Sequence, residues 1–514
     1  MFNMEYIIVQ AGGKGTRLET LTTNKPKALV PIDNLPMIFH IFKRYPTAKF
    51  IVIDDYKKEV MHRYLEIFAK DYDITIIDAD GTGTCSGISR AIQLVPDNKP
   101  FMLIWCDLVL SKYQEIPVDE ENNYIGISKD FNCRWSYKDG IFLEEPSAEY
   151  GVAGLFIFKN KHQISQVPSS GEFVRWLSQR KLSFKCIGMY GGLEIGTMLS
   201  YFQNELNKRK CRPFNRIEFE NNKVIKTPLN AQGEKLAQDE INWYKKVSNL
   251  GFKNIPTISQ YQPLIMNEVR GKNLYDYPFL TTGFKKAILG KVINCLKKLH
   301  EVSSPIAASY SDCEETYVLK TFNRLHLVEK LVPFAAKKVV TINGLSCPNI
   351  FYLREFVEKT VRQYYPREFH FIHGDCTFHN IILETETVEP ILIDPRGYFG
   401  KTKFFGDIDY DWAKLYYSIV GDYDQFNRKN FSLVINDNSV DLTIVSNSWQ
   451  SVEKEFFDLT GANKEKIKLI HSLIWLSLTT YAWEDYDSIC GAFYKGLLEL
   501  RRYLEHVGKL EEFL

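Results

Sequence analysis

The sequence has almost no net charge, no long apolar run and no paired cysteine motif. Its 514 residues carry 64 basic and 63 acidic side chains, so the formal net charge is +1. Because the positive and negative charges balance, the protein has no overall electrostatic field that would attract nucleic acid or an anionic membrane. We therefore expect neither as a partner. The apolar run at 100–110 is interrupted by Asp107 and is much shorter than a bilayer span. We therefore expect no membrane insertion and a cytoplasmic location.

The ten cysteines are scattered, with no C-x-x-C pair and no spacing typical of metal ligands. This pattern excludes a disulfide framework and indicates reduced thiols in a cytosol. The sequence also lacks internal repeats and low-complexity segments. Because a single hydrophobic core stops growing well below this length, we expect at least two domains.

Two domains are predicted from the order of the patterns. Up to about residue 205, short β-branched runs such as 6–9, 49–53 and 101–105 alternate with helical stretches, which predicts an α/β fold with a mostly parallel sheet. A polar, basic stretch at 206–213 is typical of a linker. The remainder, 214–514, predicts a small β lobe at about 214–270 and a helical lobe at 271–514.

A glycine-rich segment follows the first predicted strand, and a Pro-Lys pair comes about ten residues later. Glycines after a strand let backbone N–H groups approach phosphate oxygens, and Arg17 and Lys27 add the positive charge that an NTP requires. We predict Arg17 and Lys27 as catalytic residues. The predicted nucleotide-binding residues of this segment are Ala11, Gly12, Gly13, Gly15 and Thr16.

Two other glycine motifs do not fit this segment. No Walker A pattern, G-x-x-x-x-G-K-[ST], occurs here. The dinucleotide fingerprint needs a glycine where Leu18 stands, and Asp33 lies in a Pro-flanked turn instead of at a strand end. Both alternatives are excluded.

The segment, Gly-Gly-x-Gly-Thr-Arg-Leu followed by Pro-Lys, resembles the signature of sugar-phosphate and choline-phosphate nucleotidyltransferases. The resemblance implies a Rossmann-like domain in which a phosphate monoester attacks the α-phosphorus of an NTP. It also implies nucleotide contacts at Gly83 and Thr84, and Mg²⁺ ligands at Asp107 and at Glu194, which stands where the family has aspartate.

The densest chemical motif lies at 373–380, His-Gly-Asp-Cys-Thr-Phe-His-Asn, followed by Ile393-Asp394. Phosphoryl transfer from ATP needs a carboxylate to orient the acceptor hydroxyl and oxygen ligands for Mg²⁺. Asp375, Asn380 and Asp394 supply this set. The spacing resembles the choline and aminoglycoside kinases, relatives of protein kinases, and implies a bilobal, protein-kinase-like α+β domain.

By that resemblance Asp375 is the catalytic base, while Asn380 and Asp394 bind Mg²⁺. Lys226 is then the lysine that holds the ATP phosphates, Glu240 its partner, and Glu268 part of the segment that meets the adenine. No glycine lies between Phe214 and Lys226, so Asn215 or the turn at 221–222 is expected to cover the phosphates.

Taken together, the two resemblances predict a bifunctional enzyme with Mg²⁺ at both sites and small molecules and nucleotides as substrates. The kinase would make a phosphate monoester from a sugar, a polyol or a choline-like alcohol, and the transferase would couple it to an NTP for surface polysaccharide synthesis. CTP is the expected donor, with UTP, GTP and dTTP open. Two alternatives are a kinase with a non-catalytic nucleotide-binding N-terminal domain, and a non-catalytic scaffold.

Overall fold

Residue contacts divide the chain into two units. One comprises Met1–Lys210 with Glu484–Tyr486, and the other comprises Cys211–Trp483 with Asp487–Leu514. The structure, a computed structural model, describes residues 4–116, 119, 121–205, 215–277 and 279–514. The linker predicted at 206–213 lies outside the described residues. In the part of the chain that is described, no helix is both long and apolar enough to cross a bilayer.

The first unit is an α/β unit built on a nine-stranded sheet. Its helices are α1 Met37–Arg44, α2 Lys58–Phe68, α3 Ile88–Ala91, α4 Phe173–Ser178 and α5 Met198–Glu205. Its strands are β1 Tyr6–Gln10, β2 Pro31–Ile32, β3 Leu35–Pro36, β4 Lys49–Asp54, β5 Asp73–Asp78, β6 Phe101–Trp105, β7 Leu108–Val109, β8 Tyr124–Ser128, β9 Ser136–Lys138, β10 Ile141–Leu143, β11 Gly151–Phe158, β12 Lys185–Met189 and β13 Leu193–Glu194.

Four neighbouring strands in the order β6-β1-β4-β5 are all parallel. Every residue of β1 is buried, as expected for a central parallel strand covered on both faces. The predicted parallel sheet is confirmed over these strands, whereas β11 runs antiparallel to β6, β8 and β9, which makes the whole sheet mixed. The chain leaves β1 for β4 on one side and returns to β6 on the other, so β1 and β6 flank a switch point where α/β sheets bind ligands.

The second unit begins with an antiparallel four-stranded sheet and continues into helices. Its strands are β14 Asn215–Glu220, β15 Lys223–Pro228, β16 Ile258–Tyr261, β17 Leu264–Asn267, β18 Gly271–Asn273, β19 Ile306–Ala307, β20 Val339–Ile342, β21 Leu345–Pro348, β22 Glu368–Phe371, β23 Ile381–Glu384, β24 Pro390–Leu392, β25 Tyr398–Phe399, β26 Thr402–Lys403, β27 Phe405–Gly406, β28 Phe431–Ile435 and β29 Val440–Ile444. Its helices are α6 Ala231–Asn249, α7 Thr282–His300, α8 Tyr310–Cys313, α9 Lys320–Val328, α10 Arg354–Gln363, α11 Ile408–Ile419, α12 Tyr423–Asn427, α13 Glu453–Thr460, α14 Lys464–Leu478 and α15 Tyr486–His506.

The order of elements in this unit follows the predicted pattern of a small β lobe before a helical lobe, but the short strands β18 to β29 also lie within 271–514. The C-terminal part was expected to be helical throughout, but β28 and β29 form an antiparallel hairpin, and β29 also pairs with β20. In β28 only the central Leu433 is buried, and such a short half-exposed strand carries little periodic signal.

Candidate functional site

The glycine segment after β1 forms one wall of a cleft of about 420 Å³ in the first unit. Gly15 has φ +66°, and a Cβ there would lie 3.1 Å from side-chain atoms of both Lys27 and Thr22. A Cβ on Gly12 would lie 3.0 Å from Asp55, whereas a Cβ on Gly13 would meet nothing within 4 Å. A side chain at Gly12 would thus be crowded, glycine at position 15 is favoured by its positive φ, and the backbone at Gly13 has open space beside it.

Lys27 contacts the end of β6 across this cleft. Its Nζ donates a short hydrogen bond to Asp107 Oδ2, and the Lys27 side chain is only 10% exposed. Burial by itself would lower the pKa of Lys27, but the charge and hydrogen bond of Asp107, together with the charges of Cys106 and Glu194, outweigh it and raise the pKa. Lys27 therefore stays charged, and Arg17 lines the same cleft.

Strand register brings Glu194 next to Asp107. Glu194 in β13 pairs with Leu108 in β7, and the Ile195 N–H donates to the Asp107 carbonyl at 3.1 Å. A Cβ on Gly196 would lie 2.1 Å from Glu194 Oε1, so only glycine leaves room for this carboxylate. Burial and the negative charge of Asp107 raise the pKa of Glu194. Two adjacent carboxylates beside cationic side chains are the oxygen donors that Mg²⁺ prefers, so the predicted pair fits this ion.

The second glycine segment is fastened to the end of β1 and to the loop before α4. Gln10 Nε2 donates to the Thr84 carbonyl at 2.8 Å, and the Phe173 N–H donates to Thr84 Oγ1 at 2.7 Å. A Cβ on Gly83 would lie 2.4 Å from the Gly171 carbonyl oxygen. Both predicted residues, Gly83 and Thr84, line the same cleft as the first glycine segment.

A second cavity opens beside Asp107 and Glu194. Arg17, Asp107 and Glu194 border it, together with Arg134 and Trp135, which the sequence reasoning missed. These two residues lie in an irregular stretch between β8 and β9 with no motif of its own, so no local signal identifies them. Arg17 borders both cavities.

A separate cluster of Asp54, His62 and Asp78 lies at the ends of β4 and β5 and has the spacing of metal ligands. His62 Nε2 is 2.7 Å from Asp54 Oδ2, and Lys58 Nζ is 3.1 Å from Asp78 Oδ2. Basic side chains already face these carboxylates, and we regard the cluster as an ion-pair network.

In the second unit, a hairpin brings together the residues predicted for phosphoryl transfer. Ile381 of β23 pairs with Leu392 of β24, so Asn380 and Asp394 meet at the same end of the hairpin. Asn380 Nδ2 donates to the Asp375 carbonyl at 2.8 Å and to Asp375 Oδ2 at 3.1 Å. Asp394 has φ +55°, a strained conformation that functional sites favour.

Lys226, in β15 of the antiparallel four-stranded sheet, forms contacts with this hairpin. Its Nζ donates to both carboxylate oxygens of Glu240, at 2.7 and 2.8 Å, and to Asp394 Oδ1 at 2.6 Å. Burial lowers the pKa of Lys226, but the two carboxylates outweigh it and hold the pKa above its ordinary value. The lysine and glutamate predicted as a pair are in contact, and α6 carries the glutamate.

Glu268 is not part of this cluster. Its side chain is exposed, and its N–H donates to the Asn222 carbonyl at 2.9 Å, at the β14–β15 turn. Asn221 and Asn222 both have positive φ, as a two-residue type I′ hairpin turn requires. The binding of nucleotide by Glu268 remains a prediction, and it concerns the backbone of this residue and not its side chain.

Asp375 has a partner that the sequence did not reveal. Lys414 Nζ on α11 lies 2.9 Å from Asp375 Oδ1. Burial would raise the pKa of Asp375, but the charge and hydrogen bond of Lys414, with smaller effects of His373 and Arg396, outweigh it and lower the pKa. The carboxylate is therefore ionised at neutral pH, as a proton acceptor must be.

The loop that carries Asp375 is held by the buried carboxylate of Asp411 on α11. Asp411 accepts the N–H of His373 at 2.9 Å and the N–H of Gly374 at 2.7 Å, and His300 Nε2 lies 3.1 Å from Oδ2. His373 in turn bonds the Ile393 carbonyl through Nε2 at 2.9 Å, next to Asp394. Asp411 thereby supports both predicted metal ligands indirectly.

We expect Asp411→Ala to destabilise the second unit by about 3 kcal/mol, because two buried N–H groups lose their acceptor at about 1–3 kcal/mol each. Urea unfolding measures the loss. The matched control is Asp437→Ala, at an exposed loop position, which should leave the unfolding curve unchanged. A loss under 1 kcal/mol for Asp411→Ala would contradict the supporting role of this carboxylate.

Comparison with known proteins finds matches to part of the first unit. The family model of the MobA-like NTP transferase domain matches residues 7–115. Mannose-1-phosphate guanyltransferase of Saccharomyces cerevisiae is 31% identical over 109 residues, which are 20% of this chain and 30% of that protein. The UTP–glucose-1-phosphate uridylyltransferase AglF of Haloferax volcanii is also 31% identical over 109 residues, which are 20% of this chain and 44% of that protein.

Among solved structures, the CTP:phosphocholine cytidylyltransferase of Streptococcus pneumoniae is 21% identical, with a TM-score of 0.32, over 40% of this chain and 100% of that one. The chain spans less than half the length of the curated relatives named above. The matched segment contains the glycine loop, Lys27 and Asp107. Residues 7–115 thus carry a MobA-like NTP transferase domain.

Proposed function

We propose that this chain is a bifunctional enzyme. Its second unit phosphorylates a small hydroxyl compound with ATP, and its first unit joins the resulting phosphate monoester to an NTP and releases pyrophosphate. The observation that carries the proposal is the pair of cationic residues, Lys27 and Arg17, beside two adjacent carboxylates at the mouth of the glycine loop.

In the first unit, a phosphate oxygen of the acceptor attacks the α-phosphorus of the NTP as the bond to the pyrophosphate oxygen breaks. Arg17 and Lys27 stabilise the negative charge that develops around the α-phosphorus and on the leaving group. The open backbone at Gly13 approaches the phosphates, and the segment at Gly83 and Thr84 meets the base. No covalent intermediate with the protein is needed.

In the second unit, Asp375 orients the acceptor hydroxyl and takes its proton as the oxygen attacks the γ-phosphorus of ATP, and ADP leaves. Lys226, held by Glu240, contacts the ATP phosphates. The contacts among Lys226, Glu240 and Asp394 support this proposal because they join the small sheet to the hairpin that carries the predicted metal ligands.

Magnesium fits both donor sets, because carboxylate and amide oxygens are hard ligands. Asp107 and Glu194 would hold the ion in the first unit, and Asn380 and Asp394 in the second. The bound ion would neutralise phosphate charge at each site. Lys27 contacts Asp107 of the first donor set, and Lys226 contacts Asp394 of the second. Each set therefore accepts a cationic partner.

The acceptor for nucleotidyl transfer is proposed to be a phosphate monoester, as the names of the curated relatives indicate for those proteins. We propose CTP as the donor because choline-type kinases commonly partner cytidylyltransferases. The relatives are named for guanyl and uridylyl transfer, so GTP and UTP are the alternatives. A product of this kind suits the synthesis of a surface polysaccharide in the cytoplasm.

The test is incubation of the full chain with Mg²⁺, ATP, each NTP in turn and a panel of small alcohols and their phosphates, with ADP and pyrophosphate followed separately. We expect ADP with an alcohol and ATP, and pyrophosphate with its phosphate and one NTP. Release of pyrophosphate without ADP would reject the kinase, and release of ADP alone would leave the first unit as a non-catalytic nucleotide-binding domain.

A further inference from the structure

A group of basic side chains that the phosphoryl-transfer motif does not use lies close to Asp375. They are Lys320 and Arg324 of α9, Arg396 just after Asp394, and Lys414 of α11. Among the residues that the structure describes, Lys414 is the one member of this set that pairs with a carboxylate, that of Asp375. This set is called the basic cluster below.

The helix that carries Lys320 and Arg324 has an irregularity just before them. α8 continues into a π-helical segment, Glu314–Leu319, and then into α9 without a break in helical backbone. Wider turns of this kind change the direction of the following side chains and are frequent at functional sites. Lys320 and Arg324 are four residues apart and therefore lie on the same face of α9.

Three of the four basic side chains lie around the ring of Tyr410. Lys320 Nζ lies 5.5 Å from the centroid of the Tyr410 ring, and Arg396 Cζ and Lys414 Nζ each lie 5.9 Å from it. Arg396 Nη1 also donates to the Tyr410 hydroxyl at 2.9 Å. Three basic side chains around one ring share a small volume beside the proposed base.

The cluster has too few acidic neighbours to balance it. Arg324 donates to the Ser477 carbonyl, and Lys320 Nζ makes no hydrogen bond or ion pair with any residue that the structure describes. Burial, followed by Arg396, Arg324 and Lys414, lowers the pKa of Lys320, and Glu315 opposes this only weakly. Like charges so close repel each other and are stabilised by a bound anion.

We propose that the acceptor of the kinase carries an anionic group, a phosphate or a carboxylate, in addition to the hydroxyl that is phosphorylated. Lys320, Arg324 and Arg396 bind that group, while Asp375 and Lys414 hold the hydroxyl. The inference rests on the proposed kinase function. It excludes choline and other cationic alcohols, which the basic cluster would repel.

The test measures binding and turnover separately, on the full chain saturated with Mg²⁺ and β,γ-methylene ATP for the binding arm. Four probes are titrated by calorimetry: D-mannose 6-phosphate carries a phosphate, D-glycerate a carboxylate, D-mannose no charge, and choline a positive charge. We expect at least one of the two anionic probes to bind more tightly than D-mannose and choline do. Added salt should weaken that binding.

Lys320→Met should weaken binding of that anionic probe about 10- to 100-fold, since a hydrogen bond to a charged group is lost, and should leave affinity for the ATP analogue unchanged. Because removal of Lys320 relieves repulsion, the variant should be at least as stable as the parent protein. Arg324→Gln tests the same face of α9, and Lys359→Met, on an exposed position of α10, is the matched control.

The first unit also suits phosphate monoesters, so the site of anion binding must be identified. Loss of binding in Lys320→Met but not in Lys359→Met would assign the anion to the basic cluster and not to the first unit. Tighter binding of choline or D-mannose, or equal affinity of Lys320→Met and parent for the anionic probes, would overturn the inference. Failure of the kinase proposal has a different signature, namely absence of Asp375-dependent ADP release.

Discussion

Replacement of Lys27 by methionine is expected to lower the rate of pyrophosphate release about 100- to 1,000-fold, with ADP release unchanged. Removal of one preorganised charge from a transition state in which charge accumulates has an effect of this size. Lys27 contributes such a charge, because Asp107 keeps its pKa above the ordinary value despite burial. The measurement is the rate of pyrophosphate formation from the NTP and phosphate ester that the panel identifies.

Two further variants separate a charge effect from a folding effect. Lys27→Arg retains the positive charge and should recover part of the rate, although the guanidinium does not fit a pocket built for an ammonium. Lys49→Met makes the same substitution at a half-exposed position of β4 and should have no effect. Full activity of Lys27→Met would refute its catalytic role.

The second large effect is expected at Asp375. Asp375→Asn should reduce ADP release about 10²- to 10⁴-fold, the usual contribution of a positioned general base, and leave pyrophosphate release from a supplied phosphate ester intact. Asp458→Asn, on the exposed Lys454–Asp458 pair of α13, is the matched control. Normal ADP release from Asp375→Asn would reject the kinase assignment.

The pH profile of ADP release supplies an independent check on Asp375. The Lys414 charge holds the pKa of Asp375 below its ordinary value, so the acid limb of the profile should lie at low pH. In Lys414→Met burial dominates, the pKa of Asp375 rises, and the acid limb should move to higher pH. No movement of this limb would show that Asp375 is not the group that titrates.

Much of each site was predictable because the residues lie close together in the sequence. The glycine segment lies at a strand end, where Gly12 has little room for a side chain and Gly15 has a positive φ. Asp375 and Asn380 are five residues apart on one loop, and a single hairpin register brings Asp394 to them. Local motifs of this kind predict contacts because few backbone conformations join such nearby residues.

Other contacts join residues that lie far apart in the sequence. Glu194 reaches Asp107 only through the pairing of β13 with β7, across 87 positions of the chain. Lys414 meets Asp375 because α11 packs against the catalytic loop, and the same packing places Asp411 under it. The β28–β29 hairpin was missed because its strands are short and half exposed.

From the sequence we could predict a mostly parallel α/β sheet at 1–205, the glycines, Arg17 and Lys27 that follow its first strand, and the set of Asp375, Asn380 and Asp394. What surrounds these groups became known from the three-dimensional structure. The Lys27–Asp107 pair, the pKa of Asp375 and the basic cluster around Tyr410 depend on side chains from distant segments. The physical reason is that charge and burial act through space, whereas sequence motifs record only neighbours along the chain.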